Sequence, residues 1–212
     1  VYIELMQYSV LLMAFSMVAA KRFSALVTLF ALQSFLLFLL TFSEAAKNGS
    51  TRLYIVAGLI LAIKVIAIPA FLSRITKKIK VPDGMGLYVN TTLSIFIAAL
   101  ITLLSYYFIR NFLPAMDKEA GAALIISLSV TLIGLFIMIF RIKALAQVVG
   151  LLIMENGIFL AGASITDGIP FFVEIAVSFD VFVAVMILGV FVYRINSLFT
   201  HIDVDKLNEL KG

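Results

Sequence analysis

The 212 residues are 63% hydrophobic and only 13% charged, against roughly 25% charged in soluble globular chains, and the mean hydropathy of +1.17 says that lipid rather than water meets most of the surface. The chain has no cysteine, which removes disulfides, thiolate metal sites and iron–sulfur ligation, and one histidine, His201, which cannot supply a bis-histidine haem. A net charge of +4 with no phosphate-binding glycine motif gives no support to nucleotide or nucleic-acid binding.

A membrane-spanning helix needs about 20 mostly apolar residues. Seven segments meet that requirement, at about 2–20, 23–42, 53–73, 87–110, 121–140, 144–164 and 170–193. The apolar runs are continuous rather than alternating, so the expected fold is an all-α integral membrane protein rather than a β-barrel. The opening VYIELMQYSVLLM lacks a basic n-region and a small-residue cleavage site, and reads as a span rather than a signal peptide. Glu4 falls at the outer mouth of this span. Polar clusters separate the segments: KR at 21–22, SEAAKNGSTR at 43–52, SRITKKIKVPDG at 73–84, PAMDKEAG at 114–121, RIK at 141–143 and SITDGIP at 164–170.

Lys and Arg are enriched in cytoplasmic loops. With seven spans, the first, third and fifth loops and the tail share one side. They hold Lys21, Arg22, Arg74, Lys77, Lys78, Lys80, Arg141, Lys143, Arg194, Lys206 and Lys211. The opposite loops hold only Lys47, Arg52, Arg110 and Lys118. The asymmetry predicts an external N-terminus and a cytoplasmic C-terminus. The chain then divides into an N-terminal four-helix region at 1–120, a three-helix region at 121–197 and a tail at 198–212. In the tail, Val204, Leu207 and Leu210 recur at helical spacing after Asp203, which predicts a short amphipathic helix.

Four ionisable residues stay inside spans: Lys64 in the third, Glu155 in the sixth, and Glu174 and Asp180 in the seventh. A charge at a helix centre costs about 2.5–3.5 kcal/mol on insertion scales. Such residues must face protein or water and find partners. A carboxylate also escapes the cost by taking a proton, and a buried Lys by losing one. Groups that change protonation cheaply are what a proton relay needs. The structural alternative is a Lys64–carboxylate pair that only locks helices together. Here two or three carboxylates face one Lys, which leaves an acid over and favours the relay. Glu155 and Asp180 both fall near the bilayer midplane when counted inward from their short connection, while Glu174 lies about 9 Å further out. Gln33, Gln147 and Asn156 are supporting polar residues, suited to hydrogen bonds between helices. Pro69, five residues after Lys64, predicts a kink in the third span.

The last third of the chain, about residues 121–212, resembles the small K-type subunit of respiratory complex I. The likeness lies in Arg141-Ile142-Lys143, the GLLIMEN span from Gly150 to Asn156, the central acid Asp180, Arg194 and the His201-Ile202-Asp203 ending. The resemblance implies carboxylates in two consecutive spans. Glu155 takes the place of the first, three residues further from its Gly-Leu pair than in that family. Asp180 or Glu174 takes the place of the second. The full length and the four preceding spans resemble component E of hydrogenase-4 and formate hydrogenlyase complexes. KRFSALVTLFALQSF and RIKALAQVVGLLIMENGIF also share a basic start and a mid-span polar group, as a duplication or chance would produce.

What these resemblances imply is a membrane-arm subunit of an ion-translocating, energy-converting [NiFe]-hydrogenase in the cell inner membrane. No cofactor is expected on this chain. The NiFe centre and iron–sulfur clusters would belong to partner subunits, among them antiporter-like and quinone-subunit-like proteins. The expected relay is Glu155, Asp180, Lys64 and Glu174. Open alternatives are a multisubunit cation/proton antiporter, a complex I-like dehydrogenase, a membrane scaffold and a solute transporter.

Overall fold

The computed structural model describes residues 2–79, 88–114 and 118–165. All regular structure among them is helical: α1 Tyr2–Ala19, α2 Phe23–Asn48, α3 Thr51–Leu59, a π-helical segment Ile60–Ala67, α4 Ile68–Ile79, α5 Thr91–Phe112, α6 Lys118–Phe140 and α7 Ala144–Ile165. α3, the π segment and α4 run on as one span, so six helices here are long and apolar enough to cross a membrane. The expected seventh span at 170–193, with Glu174 and Asp180, lies outside the described residues, as does the tail.

The helix ends follow from local chemistry. Asn90 caps α5, its Oδ1 accepting from the Leu93 N–H at 2.8 Å. The second helix runs six residues past the expected end at 42. Its Ala45 and Ala46 are good helix formers, and Lys47 pairs with Glu44 at 3.0 Å across nearly one turn. The polar cluster at 43–52 is therefore mostly helix. The chain reverses only at Gly49, with φ 59°, where the Gly49 and Ser50 N–H groups both donate to the Ala45 carbonyl. A ladder of rings from Phe35 through Phe38 and Phe42 to Tyr54 then packs α2 against α3, with centroids 5.4–5.8 Å apart.

The third span is irregular before Pro69 rather than at it. The Ile68 N–H reaches back five residues to the Ile63 carbonyl. In that register the next donor would serve the Lys64 carbonyl, but the next residue is Pro69, which has none. The proline ring and its missing donor account for the widened turn.

Helices α6 and α7 form the tightest pair. They are joined by Arg141, Ile142 and Lys143 and run antiparallel. Gly134, Gly150 and Gly157 let the backbones meet. A Cβ on Gly150 would lie 2.6 Å from the Met138 nitrogen and 3.0 Å from the Gly134 carbonyl, and one on Gly134 would lie 2.8 Å from the Gly150 carbonyl. The Gly157 position abuts Thr131 and the Ser127 carbonyl. Small residues at such an interface replace hydrophobic drive with close van der Waals contact. The hairpin packs against α1, α2 and α5, and its core includes Leu152, Ile153, Val130 and Ile133 together with Phe30, Leu37 and Met17. Large apolar side chains elsewhere, such as Phe96, Leu103 and Tyr107 on α5, face outward as lipid-facing residues do.

Candidate functional site

Near the middle of four helices, polar side chains meet in an otherwise apolar core. The π segment carries Lys64 toward α7, where its Nζ lies 3.5 Å from Glu155 Oε1. The two side chains are 2% and 4% exposed. The same Nζ donates to Asn156 Oδ1 at 3.2 Å. Asn156 Nδ2 donates to Gln33 Oε1 at 3.1 Å and to Ser34 Oγ at 3.3 Å, both on α2. Gln33 Nε2 completes the chain on the Val10 carbonyl of α1 at 3.1 Å. Gln33, Ser34 and Asn156 are fully buried.

Local structure explains the convergence. Glu155 and Asn156 are neighbours on α7, so they point about 100° apart around the helix. One faces the Lys64 amine while the other spans from that amine to α2. Gly157 follows at once and brings this turn of α7 against α6, which sets the position of both side chains. Thus Glu155, Lys64, Asn156 and Gln33 are brought together from the residues expected at the site. Gln147 is not among them: its Nε2 donates to the Arg141 carbonyl at 2.8 Å, at the start of α7. Asp180 and Glu174 lie outside the described residues.

Two participants escaped the sequence reading. Ser34 had no signal beyond its place next to Gln33. Arg141 counted as a loop charge and as part of the Arg141-Ile142-Lys143 likeness, with no structural role, yet it is buried. Its Nη2 donates to the Met17 and Val18 carbonyls at 3.1 and 2.9 Å, closing the last turn of α1. Burial lowers its pKa to about 10, so it remains a cation at neutral pH. The contact brings the first and fifth loops to one end of the bundle. The Tyr88 N–H, which donates to the Phe140 carbonyl, places the start of α5 at that end too.

Among the described residues no group of three or more His, Cys, Asp or Glu side chains could hold a metal ion. What the arrangement offers chemically is a buried acid and a buried amine within reach of one another, anchored on one side by amides.

These features define a polytopic helical membrane protein with an ion pair inside the bilayer span. Over 191 residues the chain is 31% identical to the uncharacterized protein Rv0085 of Mycobacterium tuberculosis, covering 88% of this chain and 86% of that one. It is 24% identical over 195 residues to hydrogenase-4 component E of Escherichia coli K12 and of Shigella flexneri, covering 92% of this chain and 90% of theirs. No family model and no solved structure matches. The chain belongs to one family with Rv0085 and is a distant relative of hydrogenase-4 component E along almost its whole length.

Proposed function

We propose that this chain is a membrane-arm subunit of a complex I-like, ion-translocating [NiFe]-hydrogenase of the inner membrane, and that it contributes a proton relay centred on Lys64 and Glu155. The observation that carries the reading is the buried ion pair at 3.5 Å in the core of the bundle. A proton passing from Lys64 Nζ to Glu155 Oε1 turns ammonium and carboxylate into amine and acid. Net charge stays zero on both sides of that step. The insertion cost of an isolated charge is therefore avoided in either state. Asp180 and Glu174 would extend the relay on the seventh span, and antiporter-like and quinone-subunit-like neighbours would continue it. The NiFe centre and iron–sulfur clusters would sit in partner subunits, which supply the electron transfer that drives translocation. The three-part division of the chain and the cytoplasmic C-terminus belong to the same proposal, as does the complex I K-type likeness of residues 121–212.

The pairing of Lys64 with Glu155 equally supplies what a scaffold needs, two buried charges neutralised across helices. Assembly is tested by affinity purification of the full chain from native membranes. The hydrogenase reading expects antiporter-like membrane subunits and a [NiFe] subunit to co-purify in defined ratio. A monodisperse single subunit that transports a solute in liposomes would contradict it and favour an independent transporter.

A further inference from the structure

The hydrogen-bond chain that reaches Lys64 has a direction. A backbone carbonyl only accepts, so the Val10 oxygen requires Gln33 to present its NH2 group there, at 3.1 Å. Gln33 Oε1 then faces Asn156, which must present its own NH2 group, shared with Ser34 Oγ. Asn156 Oδ1 is left toward Lys64 Nζ at 3.2 Å. Flipping either amide would set oxygen against oxygen or NH2 against a donor. The backbone of α1 thus dictates, through two amides, that an acceptor meets the Lys64 amine. Each amide also turns the negative end of its dipole toward that amine.

We propose that Asn156, oriented by Gln33, Ser34 and the Val10 carbonyl, is a positioning residue that holds the Lys64 amine beside Glu155 and closes the α1–α2 side of the pair to protons. The inference rests on the relay reading above. Neither amide titrates in the physiological range, and the arm ends on a carbonyl. A proton on Lys64 therefore has no titrating acceptor along this arm, and exchange is directed to the Glu155 side. Without the arm, the flexible four-carbon Lys stem samples other rotamers inside the bundle.

The test uses membrane vesicles from cells making the full chain with its native partners. Protons translocated per turnover are measured across pH for Asn156→Leu, Gln33→Leu, Ser34→Ala and Glu155→Gln, alongside the amount of assembled complex. Asn156→Leu is expected to lower translocation per turnover about ten- to a hundredfold, as loss of about an ångström of positioning does. It should also displace the pH profile by about one unit, the size of one hydrogen bond to a charged group. Gln33→Leu should act in the same direction, and the double variant should be no worse than Asn156→Leu, because both cut one chain. Ser34→Ala removes a single acceptor and carries the test if the larger changes prevent assembly; its profile should move the same way by less. Assembled arm variants with wild-type ratio and profile, while Glu155→Gln fails to translocate, would overturn the positioning role and leave the amides as a helix lock. Normal translocation by Glu155→Gln would overturn the relay reading and this inference with it.

Discussion

The guanidinium of Arg141 closes the C-terminus of α1 across 124 residues of chain. Two carbonyls in the last turn of α1 accept from one nitrogen of a buried cation, the Met17 oxygen also accepting from the Ala20 N–H at 3.3 Å. Replacing Arg141 by Met keeps the stem but takes this donor from both carbonyls, and we expect a loss of about 1–3 kcal/mol, read as a lower melting temperature of the purified assembly. Arg141→Lys should recover only part, since a point charge replaces a planar fork. The pH dependence has a definite sign. The folded pKa of about 10 lies below the unfolded value, so above about pH 10 the unfolded chain holds more protons and this residue's contribution to stability rises with pH until the unfolded group also titrates. Below about pH 9 it is charged in both states, and stability should be insensitive to its titration. A steep stability change from this residue near neutrality would contradict the burial geometry. Nothing in the sequence marked this role, because a basic residue in a loop serves membrane topology equally well.

Helices α6 and α7 owe their contact to glycines, and the glycines differ in what surrounds them. A Cβ at Gly150 or Gly134 would strike backbone atoms of the opposite helix, whereas Gly58 and Gly121 have nothing within 4 Å. Gly150→Ala and Gly134→Ala should therefore push the hairpin apart and cost roughly 1–3 kcal/mol. Gly58→Ala should be neutral or add about 0.5–1 kcal/mol of stability from helix propensity. Thermal unfolding of the three variants checks the contrast; equal effects at Gly150 and Gly58 would mean that the hairpin is looser than described. The element scale was also the most legible from sequence. Apolar length and polar punctuation placed the six described spans, with α7 starting where expected at residue 144. The overrun of α2 was hidden because SEAAKN is polar but helix-favouring, and polarity alone was read as loop. The π segment was foreshadowed only by Pro69. That Lys64 would meet a buried carboxylate was readable, but which acid it meets, and the part of Asn156, was not, because 92 residues separate Lys64 from Asn156 and hydropathy carries no information about which faces meet.

For the whole molecule, the basic loops predict a topology that can be probed directly, since the chain has no native cysteine. A single cysteine at Ser50 should react with an impermeant reagent from the outer side. One introduced at Lys80 should react only after the membrane is opened, and a reporter fused after Gly212 should be active only in its cytoplasmic form. Labelling of position 80 from outside would contradict the seven-span orientation.

The central claim is that Glu155 and its partners carry protons rather than merely hold helices. Proton translocation by membranes containing the Glu155→Gln, Asp180→Asn double variant tests it most directly, with assembly measured in the same preparation. The amides keep size and most hydrogen bonding but cannot titrate. A relay predicts an assembled complex whose translocation is lost, with part of it returning in Glu155→Asp, where the titrating group is kept and moves by about one methylene. A scaffold predicts the reverse order: the double amide variant works, and damage comes from Lys64→Met, which strands a buried carboxylate at about 3–5 kcal/mol if it stays ionised. Normal translocation by the assembled double amide variant would contradict the account.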